Sequence, residues 1–414
     1  MNGDVTFYSK WARFTLFNFV VLAAVGVLLR YKILFPLPIV DQKHLLHGHS
    51  HFAFAGWVGL ALYVAVIYML QPSAKLQKQL EWLLVAQQMS SYGMLFTFPF
   101  TGYAAGSIGF STFSILISYA FTWLVIKELL QRKQSMLENK WLITGLLCNV
   151  VSSMGTVLLA YLMVTKNLRQ DWYFGSVYFF LHFQYNGFFL FTIGAMLMQF
   201  VSKKMRVKDA ITANRFYKLL LIALVPAWFL SLMWMRIPEW MYYAAVAGAL
   251  IQLAALAYFI QLITSLISYF QQNLYPTVKW FWLAAGSAFA VKIVLQAFSA
   301  IPDLNTYAFG VRPIVIGFLH LVLLAFVSVF LMGYLLQQQF LLMAHPLTKK
   351  AAGLFLIAVL LNEVLLMLQG VVAMKYESIP YMNYYLLGTA VILFLSLIVV
   401  FTINAFSTKS SSAE

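Results

Sequence analysis

The chain has 414 residues, of which 63% are hydrophobic and only 9% charged, and its mean hydropathy is +0.84. Such usage excludes a soluble globular domain, and a single cysteine, Cys148, excludes an intrachain disulfide and any multi-cysteine metal or cluster site. The formal charge of +15 does not point to nucleic acid, because no soluble surface remains on which a basic and aromatic platform can be built.

A hydrocarbon core about 30 Å thick needs roughly 20 apolar residues at about 1.5 Å each. On that measure about twelve spans are expected, at roughly 13–33, 48–70, 82–100, 108–127, 141–164, 173–200, 216–235, 240–268, 280–300, 313–338, 352–373 and 381–404. The expected fold class is therefore all-α: a polytopic membrane helical bundle that forms one domain over residues 1–414, with a disordered cytoplasmic tail at 406–414. The first span lacks a small-residue cleavage pattern and reads as a retained anchor. Of the 27 lysines and arginines, about 18 fall at the termini and in the even-numbered loops, including Lys127, Arg132, Lys133, Lys140, Lys203, Lys204, Arg206, Lys208, Arg215, Lys349 and Lys350, which puts both termini in the cytoplasm. Trp11, Trp82, Trp141, Trp172 and Trp240, near helix ends, fit interfacial belts.

Four of the seven histidines, His44, His47, His49 and His51, open the second span. On a helix His44, His47 and His51 form one stripe, whereas His49 points about 160° from His51, toward a different neighbour. The pair His47 and His51 also has zinc or copper spacing, while His44 and His47 suit the wet headgroup zone. The glycines from Gly102 to Gly109 read as a turn, and Cys148 in the fifth span as a small packing residue. In the sixth span Tyr178, His182, Tyr185 and Asn186 share one polar face, as an interhelical hydrogen-bond network, a proton path or a small-ligand pocket. Lys292 in the ninth span and Glu363 in the eleventh must face the interior, paired with each other or serving a proton route. The tenth carries His320; His345 falls in a loop. On the assigned topology the second, sixth and tenth spans run inward, and His51, His182 and His320 lie at comparable depth, where each unpaired imidazole costs several kcal/mol.

The segment His49-Ser50-His51-Phe52-Ala53-Phe54-Ala55-Gly56-Trp57-Val58 resembles the second helix of the catalytic subunit of heme-copper oxidases and nitric-oxide reductases, and Leu319-His320-Leu321-Val322-Leu323 resembles its tenth. The resemblance extends to helix number, histidine depth and orientation, over a twelve-helix frame. It implies a b-type heme with His51 and His320 as axial ligands, His49 being the alternative to His51. Heme propionates need cations near the outer surface, and Arg312, Arg236, Lys43 and Arg30 are available by topology. Elsewhere the family pattern breaks. The high-spin heme ligand two residues before His320 is replaced by Phe318, no adjacent histidine pair exists to join His182 around copper, and Asn186 stands where many oxidases carry a tyrosine, with Tyr185 adjacent.

The resemblance thus implies one low-spin heme b, no copper, a degenerate binuclear centre in which His182 and Tyr185 are the remaining catalytic candidates, and a role in respiratory-type electron transfer or redox sensing. The setting is a prokaryotic cytoplasmic membrane, with quinol, a cytochrome or other respiratory subunits as partners. Two alternatives stand beside it: a terminal oxidase or nitric-oxide reductase with unusual ligands, and a heme-free proton- or metal-coupled transporter.

Overall fold

Apolar runs long enough to span a bilayer must satisfy their own backbone, and they do so here as helices. The computed structural model describes residues 2–132, 136–167, 169–343 and 345–406, all of them helical or connecting, with no strand. Lys133 and the tail beyond Phe406 lie outside the described residues. The long helices are α1 (Asn2–Leu34), α2 (Gln42–Leu70), α3 (Ala74–Thr101), α4 (Ala105–Gln131), α5 (Leu137–Val164), α6 (170–201), α7 (Val207–Leu232), α8 (Glu239–Ser265), α9 (Pro276–Phe298), α10 (Arg312–Gln337), α11 (Pro346–Ala373) and α12 (Met382–Phe406). Short helices at Ile267–Asn273 and Pro302–Gly310 join α8 to α9 and α9 to α10. Among the described residues ten helices are long and apolar enough to cross a membrane, and α3 and α6 are not among the ten. Both carry polar residues inside the run, Gln87 and Gln88 in α3, His182, Gln184 and Asn186 in α6, which lower their hydropathy.

Local signals set several helix starts. Asp41 caps α2, its carboxylate accepting from the backbone N–H of Lys43 at 2.8 Å and of His44 at 2.9 Å. Those bonds, the one from His44 first, hold the Asp41 carboxyl below the usual carboxylate range. A proline stands at the first or second position of α9, α10 and α11, where its missing N–H leaves no gap in the ladder. His345, placed in a loop by the sequence, caps α11 through Nδ1, which accepts from the N–H of Leu347 at 3.2 Å. The expected turn from Gly102 to Gly109 is shorter: helix resumes at Ala105 and takes in Gly106 and Gly109. Gly102 keeps the turn, with φ of +60°.

Three helices are not α-helical throughout. α2, α6 and α10 change to π-helix over Ala53–Gly59, Phe183–Phe189 and Leu321–Ser328, then resume. From each π segment onward every residue is buried for several turns, across 56–67, 182–196 and 325–336, whereas the turns before the π segments are mostly half-buried. The bundle is close-packed at one end and looser at the other, where α2, α6 and α10 begin. Lipid tails are as apolar as these side chains, so cohesion rests on packing and interhelical hydrogen bonds. Trp57, fully buried, stacks on Phe19 of α1 with ring centres 4.2 Å apart. Of the tryptophans assigned to interfacial belts, Trp82, Trp172 and Trp240 are exposed, but Trp11 and Trp141 are core residues. Cys148 is a buried free thiol packed on Gly187, as its size suggests.

Candidate functional site

A π segment inserts one residue into a helix, breaks the regular ladder and frees backbone acceptors, and such segments frequently mark functional sites. Here each follows a histidine by one or two residues: His51, His182 and His320. The three segments adjoin one another, through Phe54 against Phe189 at 5.5 Å, through Trp57 against Ser328, and by direct packing of the α6 segment on the α10 segment.

Side chains donate to carbonyls within two of these segments. Asn18 of α1 donates to the carbonyl of Gly56 at 2.6 Å, and Gln87 of α3 to that of Ala55 at 3.3 Å. Asn18 is held by a reciprocal amide pair with Gln88, at 2.8 and 2.9 Å, and accepts from Tyr92 at 3.0 Å. In α10 the Ser328 hydroxyl donates back to the carbonyl of Leu323 at 2.7 Å.

The α2 histidines divide between two directions, as their helical spacing demands. His51 lies flat on Phe98 of α3, ring centres 4.2 Å apart and planes 10° from parallel, with Nε2 3.4 Å from the hydroxyl of Tyr103. Gly48 makes this possible, since a Cβ there would stand 2.9 Å from the Pro99 ring. His49 turns the opposite way, against α1. Its ring lies near the backbone of Leu22, 3.5 Å from where a Cβ on Gly26 would stand, and its Nδ1 is buried without a hydrogen-bond partner. It is also the α2 histidine in electrostatic range of His320 and of Arg30. His320 places Nδ1 on the carbonyl of Ile316 at 2.8 Å, so Nδ1 carries the proton and Nε2 carries the lone pair. Arg30 is in range of both rings. His49 and His320 thus lie within electrostatic range of each other and of Arg30. His51 packs toward α3, and Arg312 and Arg236 are exposed side chains near the same end of the bundle.

His182 is fully committed elsewhere. Its Nε2 donates to the carbonyl of Leu224 in α7 at 2.8 Å, and its Nδ1 accepts from Asn186 at 3.1 Å. The oxygen of Asn186 accepts from the ammonium of Lys292, a residue with no exposed surface. Tyr185 bonds Ser231 and packs edge-on against Phe318, ring centres 6.1 Å apart, while Tyr178 turns to Phe309 and Trp234. Of the expected polar face, His182 and Asn186 thus form a hydrogen-bonded chain with Lys292, the Tyr185 ring lies 5.8 Å from the Lys292 ammonium and 6.3 Å from the His182 ring, and Tyr178 stands apart. Lys292 and Glu363 do not pair. Glu363 accepts from Asn362 at 3.1 Å, and its Oε2 is buried with no partner.

His44 and His47 are half-buried. With Lys43, Tyr103, Gln170 and Tyr173 they line a cavity of about 440 Å³ at the looser end, His47 packing edge-on to Tyr103 at 4.8 Å. Among the described residues no group of three His, Cys, Asp or Glu side chains stands ready for a metal ion, so the zinc or copper spacing of His47 and His51 is not matched by a third such ligand.

The π segments and the residues that hold them went unread in the sequence. The available signal was the polar residues Asn18, Gln87, Gln88 and Ser328 inside otherwise apolar runs, since such groups in membrane helices need partners. A scan against protein-family models and a search of curated proteins both return no match for the chain.

Proposed function

We propose that the chain is a membrane-embedded b-type heme protein built on the plan of the heme-copper oxidase catalytic subunit, with one low-spin heme between α2 and α10. The observation that supports this reading is a pair of histidines on two helices within electrostatic range of each other and of Arg30, His49 with Nδ1 buried and orphaned and His320 with Nδ1 held on the Ile316 carbonyl. His49, in the place first given to His51, and His320 supply one imidazole each from two helices, the donor set a six-coordinate heme iron requires. The orphaned Nδ1 of His49 and the lone pair left on Nε2 of His320 fit that demand. When bound, such a group supplies one-electron chemistry and leaves no coordination position for oxygen or nitric oxide. The protein's own part is to hold the two rings, exclude water and set the local charge through Arg30.

On this reading α3 and α6 complete twelve crossings, both termini are cytoplasmic in a prokaryotic membrane, and the histidine end faces outward. Electrons are exchanged there with quinol, a cytochrome or another respiratory subunit. The terminal-oxidase alternative has less support, because both nitrogens of His182 are engaged and Phe318 stands in the high-spin ligand position.

An optical spectrum of the purified full-length protein tests the proposal. Sharp low-spin b-type bands are expected, lost in His49→Ala and in His320→Ala. A heme-free preparation from heme-replete cells overturns it.

A further inference from the structure

The π segments of α2 and α10 are joined by one hydrogen bond. Trp57 lies within the first and Ser328 closes the second; the indole Nε1–H donates to the Ser328 oxygen at 2.8 Å. The same hydroxyl spends its proton on the carbonyl of Leu323, an acceptor freed inside the π segment. Ser328 therefore sits at the junction of two duties, closing its own helix's irregular turn and anchoring the neighbouring helix. Both residues are buried, Trp57 to 0% and Ser328 to 3% exposure, so no water replaces either partner. On the other side Trp57 is pinned by its stack on Phe19, and the backbone next to it is held by Asn18 through the carbonyl of Gly56.

A residue inserted into a helix rotates everything before it by about 100° relative to everything after it. The direction of His49 and His320 is thus decided at these two segments, and the bond between the segments is the direct polar link from one histidine helix to the other. Resting on the heme reading above, we infer that Trp57 and Ser328 are positioning residues: their hydrogen bond locks the two π segments together and thereby fixes the separation and mutual orientation of the His49 and His320 rings. Neither residue touches the iron-binding nitrogens. They act as outer partners that orient ligands, a class whose loss typically weakens binding about 10–100-fold.

The test uses the full-length protein in detergent or nanodiscs. Ser328→Ala and Trp57→Phe should each speed the loss of heme to an apoprotein acceptor by about 10–100-fold and shift the low-spin ferric EPR signal. Ser328→Thr, which keeps the hydroxyl, should restore both. The double variant should be no worse than the singles, since one bond is being removed. A second readout needs no heme: spin labels at Leu46→Cys and Arg312→Cys, in a Cys148→Ala background, should give a narrow distance distribution that broadens on Ser328→Ala. Unchanged heme loss and EPR signal in Ser328→Ala overturn the inference even where the wild type binds heme. If the wild type carries none, the heme reading fails, and an unbroadened label distance removes the clamp as well.

Discussion

Nε2 of His182 donates to the carbonyl oxygen of Leu224 at 2.8 Å, which fixes Nδ1 as the acceptor for the amide of Asn186. The ring most readily taken for a copper ligand is instead the middle of a hydrogen-bonded chain. On the heme reading proposed above, its removal should act on stability and leave the cofactor site intact. His182→Ala should lower unfolding free energy by about 1–3 kcal/mol through the unpartnered Asn186 amide, with the low-spin spectrum unchanged. Chemical unfolding followed by circular dichroism, together with the spectrum, checks both halves; a lost heme signal would return His182 to the cofactor site.

Asn186 is the hydrogen-bond partner of a lysine with no exposed surface. Asn186→Leu should cost about 3 kcal/mol, because an ammonium is left buried without its acceptor. Adding Lys292→Met should recover most of that, since removing both partners is nearly neutral where removing one is not. Equal stability of the single and double variants in the same unfolding assay would refute this coupling.

Arg30 is in electrostatic range of both His49 and His320. A fixed cation favours the state with one more electron, so, on the proposed heme reading, Arg30→Gln should lower the midpoint potential by several tens of millivolts. Redox titration of the b-type bands measures it. An unmoved or raised potential contradicts the placement of Arg30. His51→Ala is the control: it should lose its stack on Phe98 and keep the full low-spin spectrum.

Gly102 holds φ of +60° and ψ of −140°, a region reserved for glycine, and a Cβ there would stand 2.5 Å from Nε2 of His44. Gly102→Ala should cost about 1–3 kcal/mol from strain and push His44 toward the cavity that it lines with His47. Thermal unfolding of the variant against wild type decides the first; solvent exchange of the His44 ring decides the second.

Apolar runs by themselves determined the all-helical class and most helix positions, because a chain without water to bond has few ways to satisfy its backbone. The polar residues that interrupt those runs, His320, His182, Asn186, Lys292 and Glu363, are all inside long helices, as expected. What those residues do was decided in the tertiary structure. The sequence offered His49 and His51 on opposite sides of one helix, and only the tertiary structure gives each its surroundings: Gly48 lets Pro99 and Phe98 come close on one side, and α1 presents Gly26 on the other. Lys292 could have met Glu363, yet packing set it against Asn186 of α6. Trp11 and Trp141 read as interfacial from their place near helix ends and are core in fact. The π segments were illegible for the same reason. A helix tolerates an extra residue only where its irregular backbone is supported, and that support is tertiary: Asn18 of α1 and Gln87 of α3 reach the α2 segment, and Trp57 of α2 reaches Ser328 of α10.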